Sequence, residues 1–254
     1  MESSQKKYHA ILLKKSSRTH KKSMQGTTYS WLRQPQVALE FGRYTHEGNM
    51  IKSIFIKSII LLLLIIGCKS HQDYKPENGD IIFQTSRSSQ SLAIQKATNS
   101  KYSHMGIIYI RDGKPFVYEA IEPVKLTPLN DWISRGSGKH FTVKRLSNAK
   151  KVLTPDAINK MLEVGKKFEG KHYDLYFEWS DDRIYCSELV WKIYKRAVNL
   201  EVGKLQIMAD FDLSDPLVQS KIRDRFGDSL PKNETVISPS SIFESPLLVK
   251  IYEK

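Results

Sequence analysis

Cys68 and Cys186 are the only thiols in this 254-residue sequence, and their surroundings are of opposite kinds. Cys186 lies in the run Asp181-Asp182-Arg183-Ile184-Tyr185-Cys186-Ser187-Glu188-Leu189-Val190-Trp191. Beyond it Leu189, Val190, Ile193, Tyr194 and Ala197 recur at helical spacing, which predicts a helix from Cys186 to about Val198. Ser187 or an upstream aspartate is the expected cap. The unpaired N–H groups and positive end of such a helix favour a thiolate. They are also placed to bind the oxyanion of an acyl-transfer intermediate. The competing reading is a small residue packed in the core, since free cysteine is among the most buried types.

A thiol with a pKa of about 8.5 is a few per cent thiolate at neutral pH, so a cysteine nucleophile needs a base or a neighbouring cation. Four histidines follow Cys68: His71 in a polar tether, His104, His140 at the start of a strand without a clear acidic partner, and His172 in a polar loop. His104 starts the apolar strand Tyr102–Ile110, Asp112-Gly113 reads as a hairpin turn, and Pro115–Ile121 is the returning strand. Counted outward from that turn, His104 and Glu119 lie at similar heights, so they are expected as cross-strand neighbours. Glu119 would then orient the imidazole and stabilise imidazolium, the third role in a triad. The plainer readings stay open: a half-buried hydrogen-bonded histidine and a solvent-facing glutamate. Tyr185 either lines the site and helps bind the oxyanion or simply packs. Asp80 reads as structural, and Asp174, Asp181 and Asp182 as caps and solvated loop; without a histidine at ligand spacing they do not suggest a metal.

The remaining elements follow from the same signals. Gly79-Asp80 is a turn before the strand Ile81–Phe83, and Ser86–Thr98 reads as a helix. Asn130–Ser134 suggests a helical turn and His140–Leu146 another strand. Thr154 caps a helix with Pro155 at its first position, running to Phe168. Leu213–Phe226 is helical, Pro231–Asn233 a turn, and Leu247–Tyr252 the last strand. Strands first and the nucleophile's helix later imply an α+β domain over residues 79–254.

Six of these stretches, in order, resemble the YiiX-like family, the circularly permuted branch of the NlpC-type, papain-like cysteine amidases. They are Gly79–Gln84, Ser88–Ser91 with Ala93–Thr98, Tyr102–Ile107, Val117–Ala120, Tyr173–Phe177 and Tyr185–Trp191. The resemblance covers about residues 77–200. It implies a permuted papain-like α+β fold, an antiparallel sheet or small barrel packed against helices. It also implies Cys186 as nucleophile, His104 as base and Glu119 as third member, with no cofactor. The substrates so implied are amides or esters of a cell-wall peptide or a lipid. A non-catalytic module that binds such a group in the same cleft is the alternative, which the intact triad speaks against.

Charge marks off the other end of the chain. Of 40 Lys and Arg and 27 Asp and Glu, residues 1–67 hold 11 and 3, leaving 29 and 24 for the rest. The basic excess therefore belongs mainly to the leading segment, and no aromatic-interleaved basic stripe points to nucleic acid. Two cysteines exclude a disulfide framework. Residues 1–49 read as a disordered extension ahead of a start at Met50. Met50–Lys57 is a basic n-region and Ser58–Ile66 an apolar run, the layout of a secretory signal over residues 50–67. Ile65-Ile66-Gly67-Cys68 resembles a bacterial lipobox, which predicts lipidation of Cys68, a tether over residues 68–78 and anchoring to an envelope membrane.

Overall fold

The apolar runs between Gly79 and Leu146 form the middle of one antiparallel sheet. In this computed structural model, which describes residues 74–88 and 90–254, its strand order is β10-β5-β1-β2-β3-β4. The strands are β1 (Ile81–Gln84), β2 (His104–Arg111), β3 (Lys114–Glu119), β4 (Lys125–Pro128), β5 (Thr142–Leu146) and β10 (Leu248–Glu253). The extension, signal, His71 and Cys68 lie outside the described residues. The sheet is open, with β10 and β4 at its edges, so the barrel alternative is not what forms.

Successive side chains of a strand face opposite ways, and both faces here are apolar. Ile81, Phe83, Met105, Ile107 and Tyr109 face one core, with Met161, Leu189, Ile193 and Tyr194. The helices supplying those last four are α4 (Pro155–Lys166) and α5 (Cys186–Val198), which pack on each other, α5 also against β2. Ile82, Ile108, Val117 and Val143 face a smaller core with Leu129 and Trp132. Those two belong to α2 (Leu129–Arg135), which follows α1 (Ser91–Thr98); α3 (Ala149–Val152) is a single turn. Beyond α5 come α6 (Pro216–Phe226) and α7 (Pro239–Phe243). Two small pairs complete the fold, parallel β6 (His172–Tyr173) with β7 (Arg183–Ile184), and antiparallel β8 (Gln206–Ile207) with β9 (Thr235–Val236).

The β2–β3 hairpin turns at Asp112 and Gly113, both at positive φ (49° and 73°), as a two-residue turn between twisted strands favours. Thr154 caps α4 through its side chain, with Pro155 at the first turn. The helix expected from Ser86 begins only at Ser91. The Ser86 hydroxyl accepts from Ser88 N–H at 3.0 Å, and the Ser103 hydroxyl accepts from Ser86 N–H at 2.9 Å, so serine side chains hold this stretch in a turn. None of the described helices is long and apolar enough to cross a membrane.

Candidate active site

Cys186 is the first residue of α5 and is 3% exposed. The cap expected from Ser187 or an aspartate does not form. Tyr185 is the N-cap residue, and Ser187, already inside the helix, donates its hydroxyl to the Ile237 carbonyl at 2.7 Å. Asp181 is committed to Arg196 and Lys192 on the helix itself. Glu188 instead reaches back to accept from the Tyr185 N–H at 3.4 Å. The Tyr185 hydroxyl accepts from Ile237 N–H, and the first turn of α5 turns its N–H groups towards the Cys186 end of the helix.

His104 opens β2, the strand against which α5 packs. Its Nε2 lies 2.6 Å from Glu119 Oε2, and the indole of Trp132 stacks on the ring, centroids 5.9 Å apart. Cys186 lies beside the same ring and interacts with it. Burial alone would lower the imidazole's pKa. The Cys186 and Glu119 interactions outweigh it and push the value up to about 9.

Glu119 ends β3 and is fully buried. In the register Ile107 pairs with Tyr118, so Glu119 stands opposite Gly106 and diagonal to His104. Gly106 makes this close approach feasible: a Cβ there would lie 2.5 Å from Val117 Cγ1 and 2.6 Å from the Tyr118 carbonyl. Oε1 of Glu119 accepts from Thr127 Oγ1 at 2.6 Å and from Arg135 Nη2. Burial pushes this carboxyl up, but the His104 hydrogen bond and charge, with Thr127 and Arg135, hold it below its ordinary value.

Sequence reasoning missed Thr127, Arg135 and Trp132. Thr127 sits on β4, whose Lys-Leu-Thr-Pro run is too short and mixed to read as a strand. Arg135, the last helical residue before Gly136, looks like an ordinary basic C-terminus. Gln84, paired with His104 in the β1–β2 register, is a further polar neighbour, its Oε1 buried without a partner.

The other candidates fall away from this cluster. Tyr185 lines a groove together with Cys186, and its hydroxyl accepts from the Ile237 N–H at 3.1 Å. His140 bonds the Lys254 carbonyl, and exposed His172 bonds Glu122. Asp80 is structural, gripped by Arg145 at 2.6 Å and by Tyr74 at 2.8 Å. Asp174 is buried rather than solvated, and its Oδ1 accepts from the Tyr176 N–H. Among the described residues no three His, Cys, Asp or Glu side chains cluster closely enough to hold a metal.

Residues 75–252 match the family described as permuted papain-like amidase enzyme, YaeF/YiiX, C92 family. The protein YiiX of Escherichia coli strain K12 is 44% identical over 196 residues, 77% of this chain and 96% of YiiX. A crystal structure described as the metalloprotein yiiX from Escherichia coli O157:H7 is similar with a TM-score of 0.69 and 47% identity, over 71% of this chain and 99% of that one. The match runs to residue 252, well past the stretch near residue 200 where the motif resemblance ends. A match over most of the described domain, with a relative 44% identical across 96% of its length, shows that the chain belongs to the permuted papain-like cysteine amidases of the YaeF/YiiX family.

Proposed function

We propose that this thiol amidase works through Cys186 as nucleophile, His104 as proton carrier and Glu119 as the carboxylate that orients His104. Its substrate is an amide or ester of a cell-wall peptide or a lipid. The observation that carries the reading is the buried imidazole set between the thiol and Glu119, with Nε2 tied to the carboxylate and the opposite side of the ring left for Cys186. The Cys186 sulfur bonds the carbonyl carbon while the N–H groups at the start of α5 stabilise the oxyanion. The proton on His104 passes to the leaving nitrogen or oxygen as its bond to carbon breaks. Water, or an acceptor amine, then resolves the acyl-enzyme and returns a proton to His104.

Alkylation tests the nucleophile before any substrate is known. At pH 6, iodoacetamide should modify Cys186 faster than it modifies a free cysteine, and His104→Ala should slow the reaction at least about tenfold. A rate that tracks an ordinary thiol titration, unchanged in His104→Ala, would remove the activated-nucleophile reading.

We also propose that the mature protein is held at an envelope membrane through lipid on Cys68. The signal-like run before this cysteine and a family match that begins only at residue 75 support it.

A further inference from the structure

A buried glutamate–lysine pair sits on the nucleophile's own helix, and the chemistry proposed for Cys186 does not use it. Glu188 is fully buried and Lys192, one turn along α5, is 2% exposed, with its Nζ 2.7 Å from Glu188 Oε1. The same ammonium donates to the Ser180 carbonyl at 2.6 Å and to Asp181 Oδ1 at 2.8 Å, and it lies 4.9 Å from the centroid of the Trp179 ring. Arg196, a further turn along the helix, bonds both oxygens of Asp181, at 2.6 and 2.9 Å. The stretch 179–181 is thereby clamped to α5 just before the chain passes through β7 to Tyr185 and Cys186. Glu188 closes the circuit by accepting from the Tyr185 N–H. The residue ahead of the nucleophile is thus held by a carboxyl that Lys192 holds in turn.

We propose that Glu188 and Lys192 are positioning residues for Cys186. The carboxyl fixes the backbone at Tyr185 and the ammonium fixes the carboxyl, so that the thiol faces His104 and the first N–H groups of α5 face the oxyanion. The inference rests on Cys186 being the nucleophile. Stability alone does not account for the pair. Taking both groups out of water costs about as much as their attraction gives, and apolar side chains of similar volume often serve as well or better. Charge does not account for it either, because a carboxylate two residues from Cys186 works against a thiolate. Burial, with Asp174 facing it, pushes the Glu188 carboxyl up to about 8 against the pull of Lys192 and the Tyr185 N–H. At neutral pH its part is therefore mainly that of a fixed hydrogen-bond acceptor.

The test uses the full chain at about pH 6, where an ordinary thiol is almost wholly protonated. It reads the rate at which iodoacetamide alkylates Cys186, the rate at which p-nitrophenyl acetate acylates it, both by the mass of its peptide, and Tm. Glu188→Gln keeps an oxygen for the Tyr185 N–H and should react as fast as the natural chain. Glu188→Ala loses that oxygen, and both rates should fall roughly 10- to 10²-fold, the scale on which a misplaced reacting group is felt. An effect of charge alone has the opposite sign, since removing a carboxylate favours the thiolate. Glu188→Leu combined with Lys192→Met puts apolar groups of similar size in place of the pair, and should keep or raise Tm yet stay as slow as Glu188→Ala. Natural rates in that double variant, or in Glu188→Ala, overturn the positioning role and leave the nucleophile standing. If the double variant does not fold, Glu188→Gln against Glu188→Ala decides, and equal rates in the two overturn the role. Alkylation of Cys186 in the natural chain at the pace of an ordinary thiol overturns the nucleophile, and this inference with it.

Discussion

Glu119 carries a charge into a position with no exposure, and three donors offset the cost. His104, Thr127 and Arg135 each bond the carboxylate, and without them its burial would favour the neutral acid. Together with Cys186, the first of the two to favour the charged ring, this carboxylate pushes the His104 pKa up to about 9. The upper limb of kcat/KM against pH should accordingly fall near 9, where His104 gives up its proton. Glu119→Gln keeps the size and an acceptor but removes the charge, so that limb should move to lower pH and turnover should drop roughly 10- to 10³-fold. A limb that stays in place would show that another group holds the histidine. Linkage gives the same residue a stability signature. Because the folded pKa lies above the ordinary 6.5, the stabilisation is fully present below about pH 6.5 and lost as pH rises through about 9. Unfolding titrations should show that alkaline decline, and His104→Ala should remove it.

At the scale of elements, the site depends on the close approach of β3 to Gly106 of β2, just past the last paired residues Ile107 and Tyr118. Gly106→Ala would drive a methyl into the Tyr118 carbonyl and Val117, and neither backbone nor a branched side chain yields cheaply. Overpacking of this kind costs about 1–3 kcal/mol, read as a Tm lower by roughly 2–12 °C. Turnover should fall with it, because the shift separates the diagonal pair His104 and Glu119. A Gly106→Ala protein with unchanged Tm and turnover would mean that the close approach is not needed. This hairpin was also the most legible part of the sequence. Its turn residues and apolar strands set the register from local signals, so the histidine and glutamate could be paired without a structure. The helix of Cys186 was legible for the same reason, down to its end at Val198. What escaped came from elsewhere in the sheet or from competition for hydrogen bonds. Thr127 and Arg135 meet Glu119 only because β4 and α2 fold back beside β3. Ser187 carries the right chemistry for a cap but lies one turn position too late and bonds Ile237.

For the whole molecule, the proposed lipid on Cys68 bears on where the enzyme meets its substrate. Cell-wall peptides and lipids are both concentrated at the envelope, so an enzyme tied to a membrane there would work beside either proposed substrate. Lys52 and Lys57 precede the apolar run Ser58–Ile66, as in an export signal. One acyl chain holds a protein only marginally, whereas two or three give lasting attachment, each buried methylene adding about 0.8 kcal/mol. The expected product is therefore a diacylated or triacylated cysteine followed by a short polar tether, ahead of the domain that starts near residue 75. Mass spectrometry of the native protein should find such a modified Cys68 at the amino terminus and no peptides between Lys6 and Arg43. Cys68→Ser should move the protein from the membrane pellet to the soluble fraction without slowing hydrolysis of a water-soluble ester, since Cys68 takes no part in the chemistry proposed for Cys186. Abundant peptides from Lys6 to Arg43, or an unmodified Cys68 in membrane-bound protein, would rule out the lipid anchor.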